Sequence, residues 1–423
     1  MFTLAVDLGA SFIKAGLFDK KGKQLLISRR DPFPPFLETL GLEREVPLQP
    51  ILEIVDRQIK DLLGSVSQAV DLWISNQMQG FVLVDPVSKE ASGNFISWQD
   101  QRSLSVWKEI EGIYTPAILK SIGNELRVGH AATTLFAMNK KKNVLTGLMP
   151  ISLGDFLVMH LTGEMGEIHE TNASGFGCLS LKNSNWDEQL IKNLQLKGVI
   201  FPKVVKRFSP KMVGSTLRVW GAIGDFQAAL LGVGLREDKA LSINVATGSQ
   251  VARIVSDVPD KYDGQLRPYF GGKLLNCITH LPAGRAINFL VSHFECLDNK
   301  TVEDLFRNLD QNMSATTSLV VNLRFFSSGD GLGGSITNIR EDNFSSKNLL
   351  MAALNFMSEN YFSCRERIDP ERQCTYVLGS GGILTKSKYF QRLLERKMGL
   401  PVTVPSEKED ALLGLIEFSD FNE

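Results

Sequence analysis

The stretch AVDLGASFIKAGLFD (residues 5–19) places two apolar strand-like runs on either side of a turn that holds Asp7, Gly9 and Ser11. The stretch ALSINVATGSQVARIVS (240–256) repeats the plan, with Thr247, Gly248 and Ser249 in its turn. Two hairpins with the same small, hydroxyl-bearing glycine turn, one in each half of the chain, point to duplication of one supersecondary unit. That reading divides the chain into two related halves. A length of 423 residues accommodates two or three domains.

The pattern between the hairpins fits that reading. KQLLIS returns from the Lys20-Lys21-Gly22 turn as a third strand, and DPFPP (31–35) reads as loop, because proline lacks a donor and fixes φ. Ile51, Ile54, Val55, Ile59, Leu62 and Leu63 recur at helical spacing across 48–69. DLWIS and FVLVD read as strands, and 104–162 as mostly helical. After the polar stretch KRFSPKMVGST the plan begins again, which sets the expected domains at 1–218 and 219–423. VWGAIGD ends a strand and DFQAALLGVG is a helix. Residues 347–367 are a further helix. TYVLGSGGI is a strand and glycine turn, and KSKYFQRLLERKMG is a helix stopped by Gly399.

A formal net charge of −1 argues against nucleic acid or an anionic membrane as the main partner. The short NKKKN run reads as a solvated helix end or loop. The five cysteines form no CxxC pair, so neither zinc nor a redox motif is expected, and free thiols fit a cytoplasmic protein. The five histidines show no metal-ligand spacing. MFTLAVDLGAS has no basic start, which is unlike a signal peptide, and no apolar run approaches the ~18 residues of a membrane span. GDGLGG (329–334) matches GxGxxG, but no convincing helix follows and Asp342 is too near to serve as the ribose acid of a dinucleotide fold.

Glycine turns let backbone N–H groups approach an anion, and a hydroxyl adds a donor, so a turn from each half can hold a phosphate chain. Asp7 beside them can hold Mg²⁺. The same residues also serve plain tight turns, with Asp7 as an Asx-turn residue. Asp225 opens a helix after a strand. It is either an N-cap or a carboxylate that accepts a proton from a substrate hydroxyl. LGSGGILTKS (378–387) is no P-loop, since Leu384 stands where the second glycine belongs. It is a strand-to-helix turn, or a flat surface for a base or ribose. ISNQMQG (74–80) and WQDQR (98–102) supply amides, an indole face and an Asp100/Arg102 pair. These suit a polyhydroxylated molecule, or a structural ion pair under a packed Trp98.

In their order along the chain these motifs resemble the FGGY carbohydrate kinases. SLGDFLVMHLTGE and TNASGFGCL resemble the stretches that brace that family's first domain, and EDALLGL its closing helix. The resemblance implies an actin-like ATPase (ribonuclease H-like) α/β fold, with two related domains around a central cleft, and an alcohol-phosphorylating kinase using ATP and Mg²⁺. It implies Asp225 as catalytic base and, with Asp7, as metal holder. The implied nucleotide contacts are Asp7, Gly9, Ala10, Ser11, Lys14, Thr247, Gly248, Ser249, Gly381 and Gly382. Substrate contacts would come from Gln77, Met78, Gln79, Trp98, Asp100, Arg102, Asp225 and Phe226. FISWQDQRS, GDFQAALLGVG, GSGGILTKS and RPYFGGKLLNCITHLPAGRAINFLV (267–291) are most similar to the sedoheptulokinase branch, which implies a seven-carbon ketose as small-molecule substrate. Kinases for xylulose, ribulose or glycerol, and a regulatory homologue without turnover, are the alternatives. Family members often form homodimers. Two positions depart from the pattern: Gln79 stands where relatives commonly have His, and Phe226 where many have a polar residue.

Overall fold

The computed structural model describes every residue except 1, 20, 22, 65, 67, 143–144, 260–261, 299–300, 327–332, 406–409 and 423, and the side chains of 141–142 and 293–298. The Lys20–Gly22 turn, the end of NKKKN and most of GDGLGG therefore lie wholly or partly outside the described residues.

Contacts divide the chain into two units. The first comprises Met1–Val233, Leu266–Leu274 and Glu409–Glu423. Its sheet is built from β1 (Phe2–Leu8), β2 (Phe12–Asp19), β3 (Gln24–Pro32), β4 (Val70–Asn76), β5 (Lys211–Val213) and β6 (Leu217–Gly224), in the order β5-β6-β4-β1-β2-β3. β1, β4 and β6 are mutually parallel, and β2 and β3 extend the sheet antiparallel. Every residue of β4 is buried, as expected of a strand covered on both faces. Helix α1 (Leu48–Leu63) packs Ile51, Val55, Ile59 and Leu62 onto this sheet. A second core, around Phe81, Ile110, Phe136 and Phe176, supports residues 81–204.

The second unit comprises Gly234–Gln265 and Leu275–Lys408. Five strands of its sheet are β7 (Ala240–Val245), β8 (Ser249–Val255), β9 (Leu274–Leu281), β10 (Tyr376–Ser380) and β11 (Val402–Thr403), in the order β9-β8-β7-β10-β11. The β7–β8 hairpin is antiparallel, and β7, β10 and β11 are parallel. Each unit thus pairs a leading hairpin with parallel strands beyond it, as the duplicated turns require.

The expected domain change at 218/219 does not coincide with this division. β6 carries residues 217–224 into the first sheet beside β4, and the chain leaves that unit only after the helix Asp225–Gly232. The closing helix Asp410–Asn422 returns to the first unit and packs on 225–232. A Cβ on Gly414 would lie 1.8 Å from the Ala228 carbonyl oxygen, so only glycine allows this approach. DPFPP also differs from expectation: Asp31 and Pro32 end β3, where the outer edge needs no N–H from proline. No described helix is long and apolar enough to cross a membrane. The four cysteines whose side chains are described are free and buried.

Candidate active site

The carboxyl ends of β1, β4 and β6 lie side by side, the usual ligand-binding edge of an open α/β sheet. In register, Asp7 on β1 faces Ser75 on β4, and Ser75 faces Ile223 on β6. Asp7 is buried and accepts a hydrogen bond from Ser75 Oγ at 2.9 Å. Asp225 is half-buried and is the first residue of its helix, with Gly224 as N-cap. Its Oδ1 accepts the Phe226 N–H at 2.8 Å. Burial, then the nearby negative charge of Asp7, pushes the Asp225 carboxyl up to about 7, against the Phe226 N–H and the positive charge of Arg267.

The two expected bracing stretches hold this edge. Asn172 Nδ2 donates to Asn76 Oδ1 at 3.0 Å and to the Ala222 carbonyl at 3.1 Å. Thr171 Oγ1 accepts the Gly224 N–H at 3.0 Å. Ser152 Oγ donates to Asn76 Oδ1 at 3.3 Å. The end of β4 and the residue before Asp225 are therefore fixed by the same few side chains.

Gln77, Met78 and Gln79 follow β4 directly. Gln77 is buried, and its Nε2 finds no hydrogen-bond partner among the described residues. Gln79 is left-handed, at φ 75°. Phe81 bonds with Ile96 in both directions at 2.9 Å, which brings this loop beside the half-buried Trp98. Asp100 and Arg102 are also brought together, as a pair turned inward. Asp100 is fully buried and its oxygens accept Arg102 Nε and Nη2, both at 2.8 Å, and the Arg44 N–H at 2.8 Å. Arg102 Nη2 also reaches Glu45 at 2.6 Å. In this geometry the Asp100 oxygens are engaged by Arg102 and the Arg44 N–H.

In the turn after β1, Gly9 is half-buried while Ala10 and Ser11 are exposed, and Lys14 lies opposite Asp7 in the β1–β2 register. In the second unit, Thr247 and Gly248 are exposed. Ser249 is buried, with its hydroxyl directed at the Leu281 and Pro282 carbonyls at 3.3 and 3.4 Å. A cavity of about 760 Å³ opens beside this turn, lined by Thr247, Arg285, Asn288, Phe306, Gly382 and Lys386 among others. That volume suits a nucleotide-sized ligand. Gly381 lies behind the wall at φ 87°, with no room for a side chain.

Sequence reasoning passed over Arg285, Asn288, Phe306 and Lys386. It also passed over a buried cluster near Asp225, in which Glu125 accepts Arg267 Nε at 3.0 Å and Nη2 at 2.7 Å, and Arg127 Nε as well. Burial opposes charge on Glu125, yet the Arg267 and Arg127 guanidiniums hold its carboxyl well below the usual range.

The family model for the N-terminal domain of the FGGY family of carbohydrate kinases matches residues 2–232. The chain belongs to this family. It is 24% identical over 332 residues to a glycerol kinase of Aquifex aeolicus, a match covering 73% of this chain and 66% of that protein. It is 26% identical over 276 residues to a glycerol kinase of Gloeobacter violaceus, covering 62% and 54%. The matches thus span between about half and two thirds of these relatives' length. The fold agrees with those of a Lactobacillus acidophilus gluconate kinase (TM-score 0.87, 18% identity, all of this chain and 88% of that one) and of Plasmodium falciparum glycerol kinase with ADP (0.84, 16%, 98% and 88%). This FGGY chain therefore has the two-unit, actin-like ATPase fold.

Proposed function

We propose that this FGGY protein is a kinase that transfers the γ-phosphoryl group of ATP to a terminal hydroxyl of a small polyhydroxylated substrate, a ketose in the first place and sedoheptulose as the first candidate. The observation that carries the reading is the placing of Asp7 and Asp225 at the carboxyl ends of β1 and β6, on the ligand-binding edge of one sheet. Asp225 takes the proton of the acceptor hydroxyl. A carboxyl near neutral pKa is a better base than an ordinary one, and phosphoryl transfer needs mainly positioning and charge neutralisation.

Two neighbouring carboxylates make a hard oxygen donor set, so Asp7 and Asp225 fit Mg²⁺, which commonly takes one or two carboxylates and keeps its waters. No larger cluster of acids, histidines and cysteines suited to a metal occurs among the described residues. Bound Mg²⁺ would neutralise charge on the phosphate oxygens. The reading assigns phosphate contacts to Gly9, Ala10, Ser11 and Lys14, and to Thr247, Gly248 and Ser249. The nucleoside belongs in the cavity beside Arg285 and Gly382. Gln77, Met78, Gln79 and Trp98 receive the sugar, and Asp100 and Arg102 hold that wall in place.

The test is ADP release with MgATP and a panel of sedoheptulose, xylulose, ribulose, gluconate and glycerol. The expected result is one ketose preferred at least about tenfold in kcat/KM, the discrimination a few pocket contacts supply. Release no faster than without acceptor, across the whole panel, would leave the regulatory reading standing. Gln79→His, which exchanges an amide for a titratable ring, is expected to change the ratio of kcat/KM between two ketoses about tenfold. An unchanged substrate profile would remove Gln79 as a selector.

A further inference from the structure

The segment that carries Arg267 touches two parts of the first unit at once. The Leu266 N–H donates to the Gly123 carbonyl at 2.9 Å, one residue before Arg267. Gln227 Nε2 donates to the Pro268 carbonyl at 3.2 Å, one residue after it. Arg267 itself lies with its guanidinium carbon 5.1 Å from the centroid of the Phe226 ring. Both its side chain and that of Glu125 are about nine-tenths buried, and they meet through two parallel N–H···O bonds. A paired fork of this kind fixes the guanidinium plane as well as its position. The cation then attracts the ring face, worth about 0.5–2 kcal/mol depending on desolvation. Phe226 is buried and is the residue immediately after Asp225.

We infer that Arg267, locked by Glu125, is a positioning residue that pins the Phe226 ring and, through it, the helix turn that begins at Asp225, and so sets affinity for the acceptor. The consequence for the acceptor rests on the kinase reading above; the mechanical coupling does not. Phe226 offers no polar contact of its own, so its contribution is the place of a wall beside the acceptor. That place depends on what lies against the ring's other side. A buried ion pair with a merely structural role would lower stability when broken and leave the acceptor KM where it was.

The experiment is a double-mutant cycle of Arg267→Met and Phe226→Leu, with Arg267→Lys as the conservative variant. It reads acceptor KM, ATP KM and kcat in the full chain, and amide hydrogen exchange at 225–228 without any ligand. Arg267→Met is expected to raise acceptor KM about tenfold with ATP KM unchanged, and to speed exchange at 225–228. Arg267→Lys, which keeps a cation over the ring, is expected to recover most of both. In the Phe226→Leu background the Arg267→Met change should add less than twofold to either readout, because the ring it acts through is gone. Independent, multiplying effects overturn the proposal, as does a lower melting temperature with acceptor KM and exchange both unmoved. Should Arg267→Met fail to fold, with Glu125 left to Arg127 alone, the Glu125→Gln/Arg267→Gln pair replaces it, with the same expectations. A wild-type protein inert towards every acceptor would sink the kinase reading alone, and the exchange cycle would still decide the coupling.

Discussion

Asp225→Asn is expected to lower kcat by at least about 10²- to 10⁴-fold, the range for loss of a positioned base, while ADP affinity stays within about threefold. The nucleotide side of this expectation follows from the second-unit cavity, none of whose walls includes residue 225. The same substitution is expected to stabilise the fold, and the sign comes from the carboxyl's displacement. Its ordinary value is 3.8, and in the folded chain it stands at about 7, raised by burial and then by Asp7. Below pH ~4 both folded and unfolded forms are protonated and nothing is lost. Between ~4 and ~7 the unfolded chain releases the proton and the folded chain keeps it, so stability falls as pH rises; above ~7 the full penalty remains. Asn imitates the protonated form. The gain in melting temperature should therefore be absent at pH 3, grow through pH 4–7 and persist above, at roughly 2–4 °C per kcal/mol for a unit of this size. Added Mg²⁺ should shrink the gain, because a cation offsets the repulsion in the wild type. Normal turnover in the variant would remove Asp225 as the base. A melting difference independent of pH would show that the two carboxylates do not burden one another.

Such opposition of stability and activity is the mark of a site assembled against local preference, and it also explains which parts of this molecule could be read from its sequence. The two hairpins were legible because alternating apolar runs and a glycine turn specify a hairpin within fifteen residues. Gly399 was legible as a helix stop for the same reason, and it adopts the left-handed conformation of a C-terminal cap. The domain boundary was not legible. Leu217–Gly224 is an apolar strand in either domain, and its pairing with Val70–Asn76 is decided by contacts far away in sequence. Asp100 and Arg102 were visible as a pair, but whether they faced a ligand depended on Arg44 and Glu45, more than fifty residues earlier. The Glu125–Arg267 pair spans 142 residues and left no local signal at all. Asp225 could be read as a cap or as a base; its place one residue inside the helix, with Gly224 as the cap, removes the first of these.

Gly381→Ala and Gly382→Ala should differ sharply, although they are neighbours in one glycine-rich turn. Gly381 is held at φ 87° and ψ 152°, a conformation close to glycine-only. A Cβ there would also stand 2.4 Å from the Val245 carbonyl oxygen and 2.5 Å from its carbon, and these are backbone atoms that no rotamer change can clear. Val245 is the last residue of β7 and pairs with Ser249 across the turn that carries Thr247. A methyl group at 381 must therefore push the end of β7, and with it the 246–248 turn, out of place. We expect Gly381→Ala to destabilise the second unit by about 2–4 kcal/mol, the scale of backbone strain combined with overpacking, and to abolish measurable ADP binding near physiological temperature. At Gly382 nothing lies within 4 Å of an added Cβ, and the residue already opens a helix. Gly382→Ala should leave stability unchanged within about 0.5 kcal/mol. Because Gly382 lines the cavity, any effect should fall on the nucleotide KM alone. Thermal melts with and without ADP, run side by side for the two variants, separate a turn built as a support from one built as a contact surface. Equal melting and equal ADP affinity for Gly381→Ala and the wild type would show that the end of β7 yields freely, and that the shape of this turn is not what holds the cavity wall.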